Sequence, residues 1–115
     1  MIFNKEKTKL CTVIGNEESY VIPYGVIEIG GHAFHNKNKM KTITIPNTVT
    51  TIGISFNYCT SLTSIEIPSS VTSISVECFA NSPNITEIII HKKLGSISDS
   101  PWGCVYGDKA IKWDS

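Results

Sequence analysis

Three histidines, four cysteines and a large number of serines are the residues of this chain whose chemistry could be put to work. His32-x-x-His35, joined by the distant His91, would suit a transition metal, since neutral imidazole is the commonest metal ligand. Yet the pair flanks Phe34, and no Cys or His pair follows the spacing of a structural zinc site. Surface histidines are the simpler reading, and no metal is expected. The cysteines stand at 11, 59, 78 and 104, separated by 48, 19 and 26 residues, so no CxxC pair exists to suggest a zinc or dithiol site. Cys59, three residues after Phe56, and Cys78, directly before Phe79, read as small packing residues. Cys104 follows Pro101-Trp102-Gly103 and is the one candidate for a reactive thiol. Free thiols are expected ahead of disulfides, because a chain of this length can bury a core without a staple. The serines sit at turn positions such as Ser69-Ser70, with no GxSxG elbow and no GxxxxGK[ST] phosphate cradle to organise them. No catalytic residue and no cofactor are expected. The sequence reads as a non-enzyme.

Bulk properties narrow the partners further. The 115 residues amount to one domain. Formal net charge is zero, and all ten basic residues are lysine. Without arginine the chain lacks the planar fork that reads guanine and phosphate in two bonds, so nucleic-acid binding is not expected. Lys37, Lys39 and Lys41, with Lys92-Lys93, read as solvated turns. The N-terminus has no apolar signal-peptide core and no stretch is long enough to span a bilayer, so no membrane insertion is expected. The sequon Asn84-Ile85-Thr86 carries meaning only in a glycosylating secretory pathway.

What positions these residues is a repeat. Counted from Phe34, apolar residues fall at Met40, Ile43, Ile45, Val49 and Ile52, with Pro46 after Ile45. Counted from Phe56, the same offsets give Leu62, Ile65, Ile67, Val71 and Ile74, with Pro68. Counted from Phe79, they give Ile85, Ile88, Ile90, Leu94 and Ile97, with His91 in the proline's place. Tyr20, Ile22, Pro23, Val26 and Ile29 supply the second half of an earlier copy, while Trp102, Ile111 and Trp113 begin a later, degenerate one. The period is 22 to 23 residues; the shorter copy has three residues between Ile52 and Phe56 where its neighbours have four. Each Ile-x-Ile pair alternates at period two, the mark of a strand with one buried face. Proline then ends the ladder, because it has no N–H to donate. One copy cannot bury its own apolar face, but stacked copies make a continuous core.

The run Phe56-x-x-Cys59-x-x-Leu62-x-x-Ile65-x-Ile67-Pro68-x-x-Val71-x-x-Ile74 resembles the BspA-type leucine-rich repeat. The resemblance covers roughly residues 20 to 113 and implies a right-handed, mainly β solenoid with a parallel sheet on one face. It also implies a protein-binding module of the kind found in surface and secreted adhesins and receptors, with host or matrix proteins as ligands. Three departures stand out: the shortened second copy, His91 for proline, and the last copy at Asp99-Ser-Pro-Trp-Gly-Cys104. Residues 1–19 read as an N-terminal capping hairpin, 20–101 as the repeats, and 102–115 as a degenerate capping repeat.

The outward residues of successive strands are the candidate protein-binding face: Val21, Thr42, Thr44, Ser64, Glu66, Glu87, Ile89 and Lys112, with Ser19 and Ala110 at the margins. Five strands about 4.8 Å apart offer roughly 200–300 Å² there, well short of the ~800 Å² per partner of a standard interface. Tight binding through this face alone is therefore not expected. Either the chain is part of a longer array, or it self-associates, or its turns contribute. The alternative function is an intracellular or phage-like scaffold that uses the solenoid as an assembly element. Location follows the same fork: cell surface or secreted within a larger precursor, and otherwise cytoplasmic.

Overall fold

Alternating isoleucines dictate short strands, and the computed structural model, which describes residues 1–114, stacks them into two walls. Ten strands occur among the described residues: β1 (Ile2–Phe3), β2 (Lys9–Thr12), β3 (Ser19–Val21), β4 (Glu28–Ile29), β5 (Thr42–Thr44), β6 (Thr51–Ile52), β7 (Ser64–Ile67), β8 (Ser73–Ile74), β9 (Glu87–Lys93) and β10 (Ile111–Asp114). A 3-10 turn at Gly107–Ala110 leads into β10.

The first wall carries the Ile-x-Ile strands. β3 pairs in parallel with β5, placing Tyr20 opposite Ile43. β7 pairs in parallel with β9, placing Ile65 opposite Ile88 and Ile67 opposite Ile90. β10 adds to β9 in the same sense, with Ile111 on Ile88. The second wall is β2, β4, β6 and β8, again all parallel, with Ile29, Ile52 and Ile74 in one row. Sequence reading placed a parallel sheet on one face; the short Val-x-x-Ile segments build this second one. β1 folds back antiparallel on β2. Asn4 sets that reversal: its side-chain oxygen accepts from the N–H groups of Thr8 and Lys9 at 2.8 and 3.0 Å, the local competition with backbone pairing that makes asparagine a turn residue.

Between the walls runs an aromatic column. Phe34 stacks on Phe56 at 5.4 Å and Phe56 on Phe79 at 5.8 Å, with rings nearly parallel. Tyr20 and Trp102 close its ends edge-on against Phe34 and Phe79. Trp102 is fully buried, so it does replace the next phenylalanine. Met40, Leu62 and Ile85 form a second inner row, and Ala33, Ser55 and Cys78 a row of small residues, all buried. Small residues are also required where successive coils nearly touch. A Cβ at Gly53 would lie 2.9 Å from the Gly31 nitrogen, and that space is taken by the bond from Gly53 N–H to the Ile29 carbonyl at 2.8 Å.

Two expectations fail in the C-terminal part. Leu94 occupies the register of the buried Val49 and Val71 but is 79% exposed. The cause is His91: with no proline to end it, β9 runs on to Lys93, and the chain overshoots the inward turn. Lys92 then donates to the Val71 carbonyl at 2.9 Å, the task that Thr48 and Ser70 perform for Val26 and Val49. Ala110, placed on the outward face by period two, is instead 1% exposed, because the 3-10 turn rolls it into the core.

Candidate functional site

The first wall's outer surface carries the residues that the period-two pattern pointed outward. Val21, Thr42, Thr44, Glu66 and Lys112 are exposed, and Ser64, Glu87 and Ile89 are half-buried. Register joins most of them into rows. Val21 stands beside Thr44, Glu66 beside Ile89 and Ile89 beside Lys112; Thr42 meets Ser19, and Ser64 meets Glu87. Hydroxyls tie the second row together, with Ser19 and Thr42 at 2.5 Å and Ser64 donating to Glu87 at 3.4 Å. An exposed ion pair, Lys41 to Glu18 at 2.9 Å, flanks the β3–β5 end, lowering the Glu18 carboxyl from its usual value and raising the Lys41 amine.

The rows are broken once. β5 and β7 lie in separate sheets, with no ladder joining them. They are the strands separated by the 22-residue copy, and at the gap the inward isoleucines surface slightly: Ile43 and Ile45 are each 8% exposed, against 2% and 0% for Ile65 and Ile67. A slot of about 130 Å³ opens there, lined by Ile43, Thr44, Ile45, Glu66, Pro68 and His91.

His91 and Asp114 belong to this face but were not singled out in the sequence as part of it. The signal was available: the position after each inward isoleucine points outward, and proline holds it in the other copies. The His91 Nε2 lies 2.9 Å from a Glu66 oxygen, and its Nδ1 lies 3.8 Å from an Asp114 oxygen, so one ring bridges β7, β9 and β10. The hydrogen bond to Glu66 raises the imidazole above its usual range against a smaller opposing effect of desolvation.

Elsewhere the chemistry-bearing residues stay apart. His32 and His35 meet edge-on at 5.4 Å on an exposed turn, and His35 meets Tyr58, while His91 sits on β9. Among the described residues no group of three His, Cys, Asp or Glu side chains is arranged to hold a metal ion. All four cysteines are unpaired. Burial pushes the Cys59 thiol up to about 11 and the Cys78 thiol up to about 12, which leaves both protonated and unreactive near neutrality. Cys104 is only 6% exposed, with its sulfur 3.4 Å from the Ile85 carbonyl oxygen. A second hollow, of about 520 Å³, lies at the N-terminal end against Met1, Phe3, Lys7, Pro23, Tyr24 and Val26. No described helix is long and apolar enough to cross a membrane.

A model of the BspA-type leucine-rich repeat region, in six copies, matches residues 12–104. This chain belongs to that family. No curated protein and no solved structure gives a significant match. Membership makes the chain a leucine-rich-repeat protein, of a family that is generally non-catalytic and whose repeats generally mediate protein–protein interaction.

Proposed function

We propose that this BspA-type repeat protein binds a protein partner across the outer surface of β3, β5, β7, β9 and β10, and that it does so outside the cell as part of an adhesin or receptor. The observation that carries the reading is the register itself. Val21 and Thr44 adjoin on β3 and β5, and Glu66, Ile89 and Lys112 adjoin on β7, β9 and β10, with all but the half-buried Ile89 exposed. Such a fixed array of mixed side chains needs no ordering on binding, which favours recognition by an otherwise small patch. Residues 1–19 and 102–115 are read as the two end caps, keeping the core from open solvent.

Photo-crosslinking residues placed at Thr44 and Ile89, and at Glu77 on a turn, test the face directly in cells of the source. Adducts from the two face positions and none from Glu77 support it; adducts from Glu77 alone refute it. Protease added to intact cells tests the location, since an extracellular chain is cleaved and a cytoplasmic one is protected until lysis. One observation favours a second reading, assembly: β3 and β10 are end strands of their sheets, and Ile2 and Tyr24 near one end and Leu94 and Val105 near the other are exposed. Sedimentation that grows faster with concentration would support that scaffold role.

A further inference from the structure

We infer that the slot between β5 and β7 receives a lysine side chain from the protein partner. The inference rests on the reading of this face as a binding surface and adds the chemistry of its anchor. The slot's 130 Å³ is far below the ~300–1,000 Å³ of small-molecule sites and equals the space of about four waters, which suits one unbranched side chain. Its floor is apolar: Ile43 and Ile45 expose surface that their counterparts Ile65 and Ile67 do not, and Pro68 forms one side. Four methylenes can lie on such a floor while their charged head stays at the rim, as long cationic side chains do.

The rim is acidic. Glu66 is the one carboxylate lining the slot, beside His91 and with no lysine there, and the outward positions of the wall hold Glu66, Glu87 and Asp114 against two ammoniums, Lys93 and Lys112. The geometry also selects lysine over arginine. One Glu66 oxygen is engaged by His91 at 2.9 Å, and the narrow slot beside it suits a compact ammonium better than the broader planar guanidinium. Thr44, also in the lining, adds a hydroxyl acceptor. The slot lies where no ladder joins β5 to β7, whereas between β7 and β9 the ladder is closed.

The test is an amide chemical-shift titration of the isotope-labelled chain at neutral pH with the capped peptide acetyl-Gly-Lys-Gly-amide. Controls carry norleucine, which keeps the stem without the charge, or arginine in the same frame. Saturable shifts confined to Thr44, Ile45, Glu66 and His91 are expected, in the millimolar range of a single side chain. Norleucine and arginine should bind more weakly. Glu66→Gln should weaken lysine roughly two- to fivefold, as for an exposed ion pair, and leave norleucine unchanged. Shifts spread over every acidic residue, equal response to norleucine, or no saturation at tens of millimolar would each overturn the inference. Failure here with face-specific crosslinks would leave the binding surface standing without its lysine anchor. Lysine binding in the slot with crosslinks only from Glu77 would have the opposite meaning: the slot is real and the face is not the interface.

Discussion

The copy that begins at Phe56 and the copy that begins at Phe79 share nearly every apolar position, yet only the first completes both walls. Phe56 leads into β7, Pro68 ends that strand, Val71 turns inward, and β8 joins the second wall. Phe79 leads into β9, His91 does not end it, Leu94 points to solvent, and the second wall stops at β8. The difference teaches that apolar register alone does not close a coil. A terminator must stop the strand at the right residue, so that the next inward side chain arrives at the opposite wall. Where it is missing, the strand gains length, pairs Lys93 with Asp114 of β10, and acquires the His91 bridge between Glu66 and Asp114.

Breaking the part that the two copies share has the largest expected effect. Phe56→Ala should cost about 3–5 kcal/mol, since the ring is fully buried between two others, and that is a large share of the ~5–15 kcal/mol that holds a domain together. Urea unfolding measures it. The next substitution sharpens the contrast. Val71→Ala should cost about 2 kcal/mol, while Leu94→Ser, at the equivalent position of the following copy, should stay within ~0.5 kcal/mol. Equal losses at both sites would mean that Leu94 packs inward after all.

A smaller change acts on the backbone. Asn36, Tyr58 and Asn81 occupy the same place in successive copies, two residues after each phenylalanine, and all have φ of 60–63°. Asparagine adopts that left-handed region at lower cost than tyrosine. Tyr58→Asn should therefore stabilise by about 1 kcal/mol, read as a higher melting temperature, with the edge-on contact to His35 lost in exchange.

The smallest effect is that of His91, which is exposed. Its folded-state value is raised above 6.5 by Glu66, so its contribution is fully present below that value and disappears as pH rises through the higher folded one. The stability difference between the wild-type chain and His91→Gln should be greatest between about pH 5 and 6.5, where both carboxylates stay ionised, and should fade toward alkaline pH. A difference that grew with pH would contradict the bridge.

The sequence made the inner surface legible because it is written in residue types that recur: Phe34, Phe56 and Phe79, the Ile-x-Ile pairs, and Val49 and Val71. Period two likewise indicated the outward array from Val21 to Lys112. Beside the second wall and the place of His91 and Asp114, three features escaped it, each for a physical reason. Leu94 fits the register perfectly by type, but its direction depends on where β9 stops. Ala110 lies in a 3-10 turn, whose period is three rather than two. The slot between β5 and β7 follows from a missing backbone ladder, which leaves no mark in residue type; only the 22-residue spacing hints at it.

The most direct test of the central claim, that the outer wall is the binding surface, uses the protein captured by crosslinking as titrant in calorimetry. Thr44→Arg and Ile89→Arg, placed in the middle of the wall, are predicted to weaken binding at least about tenfold, as for the centre of an interface. Glu77→Arg, on a turn, should leave it unchanged. Unaltered affinity in both wall variants, each folded by its amide spectrum, with loss in the turn variant, would contradict the account.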